Sequence, residues 1–312
     1  MVTVNVVVPC YNEEDMIQMF YDESKKIFQT ISGYDFSYIF INDGSSDQTH
    51  LLLRELSQSH EDVKYISFSR NFGKEAAMYA GLCNASADYV IIMDADLQHP
   101  PALIPQMIKE IEKGYDCCAG MRNSRKGESK IKSAFSALFY KLNNRFTSVQ
   151  LKQNAVDFRI MSKQMVDNIV RLGEVQRFSK GIFSWVGFQT SWIPFDNVER
   201  PAGETKWSFR KLFRYAITGI TSFSVAPLTF LTGLGLMISG FSFLLILFTL
   251  ARKLFFGIDV SGFASLFIAV LFLGGIIEFS LGILGEYIAN IYMESKDRPI
   301  YIIQDSNIKD YK

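Results

Sequence analysis

Residues Tyr89–Gln98, YVIIMDADLQ, are the most informative segment about the fold, because an uninterrupted apolar run is followed at once by two carboxylates. An apolar run of this kind is typical of a strand in a parallel sheet that helices cover on both faces. In open α/β sheets, ligands bind beyond the carboxyl ends of such strands. The sequence therefore predicts a strand over Tyr89–Met93 and a binding site immediately after it.

Asp94 and Asp96 are two residues apart, and side chains at i and i+2 of an extended chain point to the same side. The two carboxylates could therefore share one divalent cation, with the side-chain oxygen of Gln98 as a further ligand. Hard oxygen ligands favour Mg²⁺ or Mn²⁺, and either ion would bridge a diphosphate. Paired aspartates are also common in turns and helix caps, so the position at a buried strand end is what favours a metal site.

Short β-branched or aromatic runs alternate with helical stretches on both sides of this segment. That alternation predicts a mainly parallel sheet covered by helices, in one α/β domain over residues 1–206. We expect strands at Val4–Val8, Tyr38–Ile41, Val63–Phe68, Tyr89–Met93 and Cys117–Gly120, and helices within Glu13–Thr30, Lys74–Asn84 and Leu103–Lys113.

Two further strand ends carry polar residues. The first strand runs into Pro9–Glu14, PCYNEE, which places Tyr11, Asn12 and Glu13 where a base or a ribose could be held. The second runs into NDGSSD at residues 42–47, which is also the composition of an ordinary helix-capping turn. Together the loops predict a nucleotide pocket beside the carboxylates, with capping alone as the alternative for the second.

The C-terminal third has the composition of a membrane anchor. No charged residue lies between Arg214 and Arg252, and two apolar stretches, about 225–250 and 262–288, can each cross ~30 Å of hydrocarbon. We predict a two-helix transmembrane hairpin over residues 225–290 and a cytoplasmic tail over 291–312. Basic residues are more numerous on the two flanks of the hairpin than in its loop, and we expect no secretory leader, because the N-terminal residues lack a basic segment and a small-residue cleavage site. Both features predict a cytoplasmic domain.

Residues 207–224 join the two parts, and aromatic side chains alternate there with Arg210, Lys211 and Arg214. This pattern predicts an amphipathic helix in the headgroup layer, with a surface helix packed on the domain as the alternative. Glu278 interrupts the second apolar stretch, so either it faces protein, water, a headgroup or a second copy, or the span is displaced. Glycines in both stretches permit close helix packing, and we expect a homo-oligomer.

Overall composition excludes some classes of partner. The chain has 312 residues with 32 basic and 32 acidic side chains, so it has no excess of positive charge and nucleic acid is not an expected partner. The four cysteines lack CxxC spacing, which predicts thiols in a reducing compartment. His50, His60 and His99 lack metal-ligand spacing, and no catalytic role is expected for them.

Four motifs, PCYNEE, INDGSSDQT, RNFGKEAAMYAGL and DADLQHPP, resemble in order and spacing those of inverting family-two glycosyltransferases of the GT-A fold. The chain is similar, over nearly its whole length, to the polyisoprenyl-phosphate glycosyltransferases. The resemblance implies transfer of a hexose from a nucleotide diphosphate sugar to polyprenyl phosphate with inversion, in a metal-dependent reaction. UDP-glucose is the first choice of donor, and UDP-N-acetylhexosamine and GDP-mannose are the alternatives.

The resemblance also implies residue roles, and the departures from the family pattern at Met121 and Thr205 leave the sugar open. It places Pro9, Tyr11, Glu13 and Asp43 in the nucleotide pocket, to which the strand-end argument adds Asn12. Asp94, Asp96 and Gln98 form the metal and diphosphate cluster. Arg122, Asp157, Arg159, Arg200 and Lys206 surround the reacting phosphates, with Lys74 and Lys132 as further candidates.

A monoalkyl phosphate is largely dianionic at neutral pH, because its second pKa is about 6. We therefore expect Asp157 to orient the acceptor or a neighbouring arginine without removing a proton. Among Arg122, Arg159 and Arg177, at least one is expected to be structural. A processive polysaccharide synthase is the first rival, although Arg177-Phe178 lacks the QxxRW pattern. A lipid-sugar flippase or scaffold without catalysis is the second.

Overall fold

The computed structural model describes residues 1–123, 144, 147, 149–196, 217–256 and 262–309. Strand β1 (Val2–Cys10) lies at the centre, and Val6, Val7 and Val8 are completely buried because helices cover both faces of the sheet. The other strands are β2 (Tyr34–Asn42), β3 (Val63–Phe68), β4 (Tyr89–Ile92), β5 (Cys117–Arg122), β6 (Ala155–Ser162), β7 (Thr190–Phe195) and β8 (Ile303–Ser306).

Within the described residues the sheet has eight strands, in the order β7-β5-β6-β4-β1-β2-β3-β8. The pairs β1–β2, β1–β4, β2–β3 and β5–β7 are parallel. Strand β6 runs antiparallel to both β4 and β5, and β8 runs antiparallel to β3. The predicted mainly parallel α/β sheet is confirmed, and the antiparallel β6 proves important for the site.

The helices lie on both faces of the sheet, as its fully apolar central strands require. One face packs against α1 (Ile17–Phe28), α2 (Thr49–Ser59) and α4 (Ile104–Glu112). The other packs against α3 (Lys74–Asn84), α5 (Lys163–Arg171) and α6 (Ser179–Trp185). Strand β3 and helix α3 have the predicted bounds, whereas β4 ends one residue earlier than predicted, at Ile92.

Strand β8 was not predicted, because its four residues lie in the segment that the sequence indicates as a tail. It pairs with the edge strand β3, with Ile66 opposite Ser306 and Phe68 opposite Ile303. The ring of Tyr301 stacks on Phe68 with 5.0 Å between centroids. The chain therefore returns from the apolar helices to the sheet and covers an edge that would otherwise expose unpaired backbone groups.

Helices α7 (Ala226–Phe256) and α8 (Phe263–Ser295) are long and apolar enough to cross a membrane, judged by length and composition. Their large apolar side chains are exposed along most of both helices, as lipid contact would require. The C-terminal part of α8 is joined to the domain by polar contacts. The carboxylate of Glu294 accepts hydrogen bonds from the backbone N–H groups of Val175 and Gln176, at 2.9 and 3.2 Å.

Candidate active site

The carboxylates that follow β4 lie in a turn at the carboxyl edge of the sheet. Met93 still donates its N–H to the carbonyl of Val7, at 3.0 Å, so Asp94 emerges directly beside β1. Asp96 lies in the turn that follows, and its Oδ1 accepts the N–H of Gln98 at 3.1 Å. Leu97 has a φ of 55°, in the left-handed region that leucine rarely adopts. The predicted extended arrangement of Asp94 and Asp96 is therefore wrong, but both remain at the strand end.

Asp157 reaches the same edge from β6. Because β6 is antiparallel to β4 and Ile92 lies opposite Arg159, extending the register by two residues sets Asp94 opposite Asp157. The two side chains are partly buried, with 24% and 16% of their surfaces exposed. A residue near the start of β6 thus belongs to the same site as a residue that follows the end of β4.

Lys74, the first residue of α3, joins these two carboxylates. Its Nζ lies 2.7 Å from Oδ1 and 2.8 Å from Oδ2 of Asp94, and 3.0 Å from Oδ2 of Asp157. Partial burial would lower the pKa of the Lys74 ammonium, but the two carboxylates outweigh it and raise that pKa above its usual value. Burial would raise the pKa of Asp157, but the Lys74 charge holds it below its usual range.

The loops after β1 and β2 hold each other by reciprocal hydrogen bonds. Asn12, with a φ of 52°, donates its N–H to Ser45 Oγ at 2.9 Å, and its Oδ1 accepts the N–H of Ser46 at 2.8 Å. The N–H of Glu13 is bound by Thr49 Oγ1 at 2.9 Å. Of the predicted nucleotide residues, Tyr11, Asn12 and Glu13 therefore lie on a fixed loop at the edge that carries Asp94, and Pro9 lies in β1 just before that loop.

Asp43 connects β2 to the start of α3. Its carboxylate accepts the N–H of Phe72 at 2.6 Å and that of Gly73 at 2.9 Å, and burial raises its pKa to about 6. Gly44 follows with a φ of 62°, and a Cβ there would lie 2.2 Å from the carbonyl carbon of Arg70. Only glycine fits this close approach of two backbones, which explains the Gly of NDGSSD better than helix capping does.

The arginines differ in their surroundings. Arg159 is buried, donates to the carbonyl oxygens of Val156 and Asp157 at 3.0 and 3.3 Å, and lies 3.7 Å over the ring of Phe183. Arg177 is also buried, donates to the carbonyl of Leu172 and lies 4.1 Å over the ring of Tyr79. Both guanidinium groups therefore have structural partners, and the predicted role of Arg159 near the reacting phosphates stays a prediction.

Arg122 ends β5, and its buried Nε has no hydrogen-bond partner among the described residues. The same is true of Asp157 Oδ1. Buried polar groups are nearly always bonded, so the partner of each atom is either a ligand or a residue outside the described ranges. Arg200, Lys206 and Lys132, and the first half of the amphipathic segment 207–224, lie outside the described residues, so their predicted roles stay predictions.

His99 belongs to the site although sequence reasoning assigned it no role. It is 3% exposed, its ring stacks on Phe158, and its Nδ1 lies 3.9 Å from Asp94 Oδ2. Burial lowers the pKa of His99, and the Asp94 charge opposes that effect. Its position five residues after Asp94 was the available signal, but the ring direction depends on a turn that the sequence does not specify.

The donor set fits a divalent ion that a substrate helps to hold. Among the described residues, no group of three or more His, Cys, Asp or Glu side chains could hold an ion alone. Asp94 and Asp96 supply two carboxylates and Gln98 an amide oxygen. Mg²⁺ is usually bound by one or two carboxylates together with substrate phosphates, so this set of donors is of the kind that holds such an ion beside a diphosphate.

The sequence of this chain matches the model of a known protein family. The model described as glycosyl transferase family 2 matches residues 5–170. The chain belongs to this family. The predicted resemblance is confirmed, and the eight-stranded sheet with two apolar helices is the GT-A-like architecture that the family resemblance implied.

Family members similar to this chain over nearly its whole length include the putative glycosyltransferase CsbB of Bacillus subtilis (strain 168), 44% identical over 98% of this chain and 92% of that protein. The bactoprenol glucosyl transferase of Shigella phage SfV is 42% identical over 98% of this chain and 99% of that protein. A solved structure, glucosyl-3-phosphoglycerate synthase of Mycobacterium tuberculosis with Mn²⁺, uridine-diphosphate-glucose and phosphoglyceric acid, aligns with a TM-score of 0.47 at 18% identity, over 70% of this chain and 78% of that chain.

Proposed function

We propose that this chain transfers a hexose from a nucleotide diphosphate sugar to polyprenyl phosphate at a membrane surface, with inversion at the anomeric carbon. The observation that carries the proposal is the convergence of Asp94 and Asp157 on Lys74 at the carboxyl edge of the sheet. Near-full-length similarity to a protein named bactoprenol glucosyl transferase supports the lipid acceptor. Two exposed apolar helices in the same chain support a membrane location for the reaction.

The residues fit a division of roles along the sheet edge. The loops after β1 and β2, with Tyr11, Glu13 and Asp43, are suited to the nucleoside. Asp94, Asp96 and Gln98 would hold Mg²⁺ or Mn²⁺, and the bound ion supplies charge that stabilises the departing diphosphate. Arg200 and Lys206, on the predicted loop before the membrane segment, are proposed to add positive charge to the same group.

The acceptor chemistry needs little help from a base. An oxygen of the phosphate dianion attacks the anomeric carbon, the new carbon–oxygen bond forms as the bond to the diphosphate breaks, and the electron pair leaves with the nucleoside diphosphate. No proton has to be removed from a dianion. Asp157 already binds the Lys74 ammonium at 3.0 Å, which supports an orienting role for it.

UDP-glucose is the proposed donor, with UDP-N-acetylhexosamine and GDP-mannose as alternatives that share the diphosphate chemistry. A processive synthase is less favoured, because such an enzyme needs a translocation channel and two helices of one chain cannot enclose one. A non-catalytic scaffold is less favoured because the described carboxylates are held in a specific arrangement. We further propose that the domain faces the cytoplasm and that the protein is a homo-oligomer.

The experiment is a donor screen with the purified full-length chain, undecaprenyl phosphate and Mg²⁺ or Mn²⁺. We expect one sugar per lipid, released nucleoside diphosphate, and loss of at least about a hundredfold in turnover for Asp94→Asn. Asp167→Asn is the matched control, since Asp167 lies on the surface of α5 and its ion pair among the described residues is with Lys163. Polymer formation would indicate a synthase, and no transfer with any donor would contradict the proposal.

A further inference from the structure

Lys74 binds the residue that the proposed metal ion would need. Both oxygens of Asp94 lie within 2.8 Å of Nζ, so the ammonium is bidentate on that carboxylate. A Mg²⁺ ion binds carboxylate oxygens at about 2.0–2.1 Å. An ammonium in this position therefore disfavours a divalent ion on Asp94, because the two cations compete for the same oxygens and repel each other.

The backbone around Lys74 is fixed on both sides. Asp43 binds the N–H groups of Phe72 and Gly73, which precede Lys74. Glu75, which follows it, accepts the N–H of Ser179 at 3.0 Å and also the hydroxyl of Ser179. A change at this position is therefore confined to the long, flexible side chain of Lys74.

The displaced ammonium would have two anionic partners. Asp157 already lies 3.0 Å from Nζ. A donor diphosphate bound beside Asp94 would supply the second. Without a diphosphate, moving the ammonium off Asp94 breaks a favourable ion pair and leaves a partly buried cation with Asp157 as its one carboxylate partner. The metal ion would also lack the oxygen ligands that the diphosphate supplies.

We propose that Lys74 is a placeholder cation that occupies Asp94 until a divalent ion enters together with the donor diphosphate, and that it thereby makes metal binding dependent on donor binding. This inference rests on the proposed metal–diphosphate function of Asp94. Its consequence is that the chain binds Mn²⁺ weakly alone and more tightly with a nucleoside diphosphate, and that the difference depends on the charge of residue 74.

The test measures Mn²⁺ binding to the full-length chain in detergent by titration calorimetry, with and without UDP. We expect Lys74→Gln to bind Mn²⁺ without UDP about tenfold or more tightly than the unmodified chain, since a cation within 3 Å of both carboxylates is removed. Lys74→Arg is the matched control: it retains the charge and should retain dependence on UDP. Lys74→Gln combined with Asp94→Asn should lose the gain.

Each outcome decides a different point. If the unmodified chain binds Mn²⁺ with UDP but Lys74→Gln gains no affinity without UDP, the placeholder role fails and the metal site stands. If neither chain binds Mn²⁺ under any condition, the proposed metal function fails, and the inference fails with it.

A second measurement avoids the risk that Lys74→Gln misfolds. In the chain labelled with ¹⁵N-lysine, the Lys74 Nζ signal is identified as the one that disappears in Lys74→Arg. In the unmodified chain this signal should shift when Mg²⁺ and UDP are added together, and it should stay in place with Mg²⁺ alone. An Nζ signal unchanged by the pair, or shifted equally by Mg²⁺ alone, would overturn the inference.

Discussion

Asp94 follows strand β4 and Asp157 lies on strand β6, 63 positions away in sequence, and both carboxylates contact the ammonium of Lys74. The carboxylate of Asp157 is partly buried, and the Lys74 charge holds its pKa below the usual range. A carboxylate in this environment is a weak base. Its geometry suits holding Lys74, or through Lys74 a phosphate, better than it suits proton transfer.

The variant Asp157→Asn tests whether Asp157 orients Lys74 or acts as a general base. Because an amide oxygen can still accept a hydrogen bond from Lys74, we expect turnover to stay within about tenfold of the unmodified chain, whereas loss of a general base typically costs 10²–10⁴-fold. The measurement is the pH profile of kcat with saturating donor. A loss of several orders of magnitude that higher pH restores would show that Asp157 removes a proton.

Among the secondary-structure elements, β8 and β6 make the contacts that the apolar pattern of the strands predicts least. Strand β8 covers the edge of β3, and its neighbours Ile300 and Tyr301 pack with Ile303 against the apolar cluster beneath α3. Asp305 of the same strand accepts hydrogen bonds from Tyr65 Oη at 2.8 Å and pairs with His50 at 2.9 Å. The segment after the apolar helices is therefore part of the domain.

Two adjacent isoleucines provide a matched test of this packing. Ile303→Asp introduces a charge into the cluster and should lower stability by about 2 kcal/mol, whereas Ile302→Asp should change it by less than about 0.5 kcal/mol, since Ile302 is 52% exposed. Thermal unfolding of the two full-length variants in the same detergent measures the difference. Equal midpoints would show that the tail strand adds nothing to the stability of the domain.

At the scale of the whole molecule, the apolar helices leave the domain and return to it. Helix α8 has 33 residues, about 50 Å at 1.5 Å per residue, so it exceeds the hydrocarbon thickness of ~30 Å. If the span begins with the helix, Glu278 lies about one turn from the end that faces the domain, which is the displaced arrangement considered from the sequence. The contacts of Glu294 then lie outside the hydrocarbon.

This arrangement predicts opposite accessibility for the end of α7 and for the segment that follows α8. In intact cells, a membrane-impermeant maleimide should label Phe255→Cys, near the loop between the helices, and should label Ile302→Cys only after lysis. Both side chains are exposed in the structure, so differences in burial do not account for the contrast. Labelling of Ile302→Cys in intact cells would reverse the proposed topology, and equal labelling of both would contradict a spanning hairpin.

Features that depend on local residue patterns could be predicted before the fold was known. Fully apolar runs such as Tyr89–Ile92 indicated a helix-covered sheet, the uncharged C-terminal stretches indicated two long apolar helices, and the aspartates after β4 marked the edge where the site lies. Periodicity and local charge are properties of neighbouring residues, so both can be recognised in the sequence without knowledge of the fold.

The contacts between residues distant in sequence could not be predicted and became known from the fold. The antiparallel direction of β6 sets Asp157 opposite Asp94, the first turn of α3 brings Lys74 between them, and a left-handed turn at Leu97 directs His99 toward Asp94. Strand direction, register and turn conformation depend on long-range packing. The placement of Lys74 on both oxygens of Asp94 is of this kind, because an ion pair between residues of a helix and a strand end has no local sequence pattern.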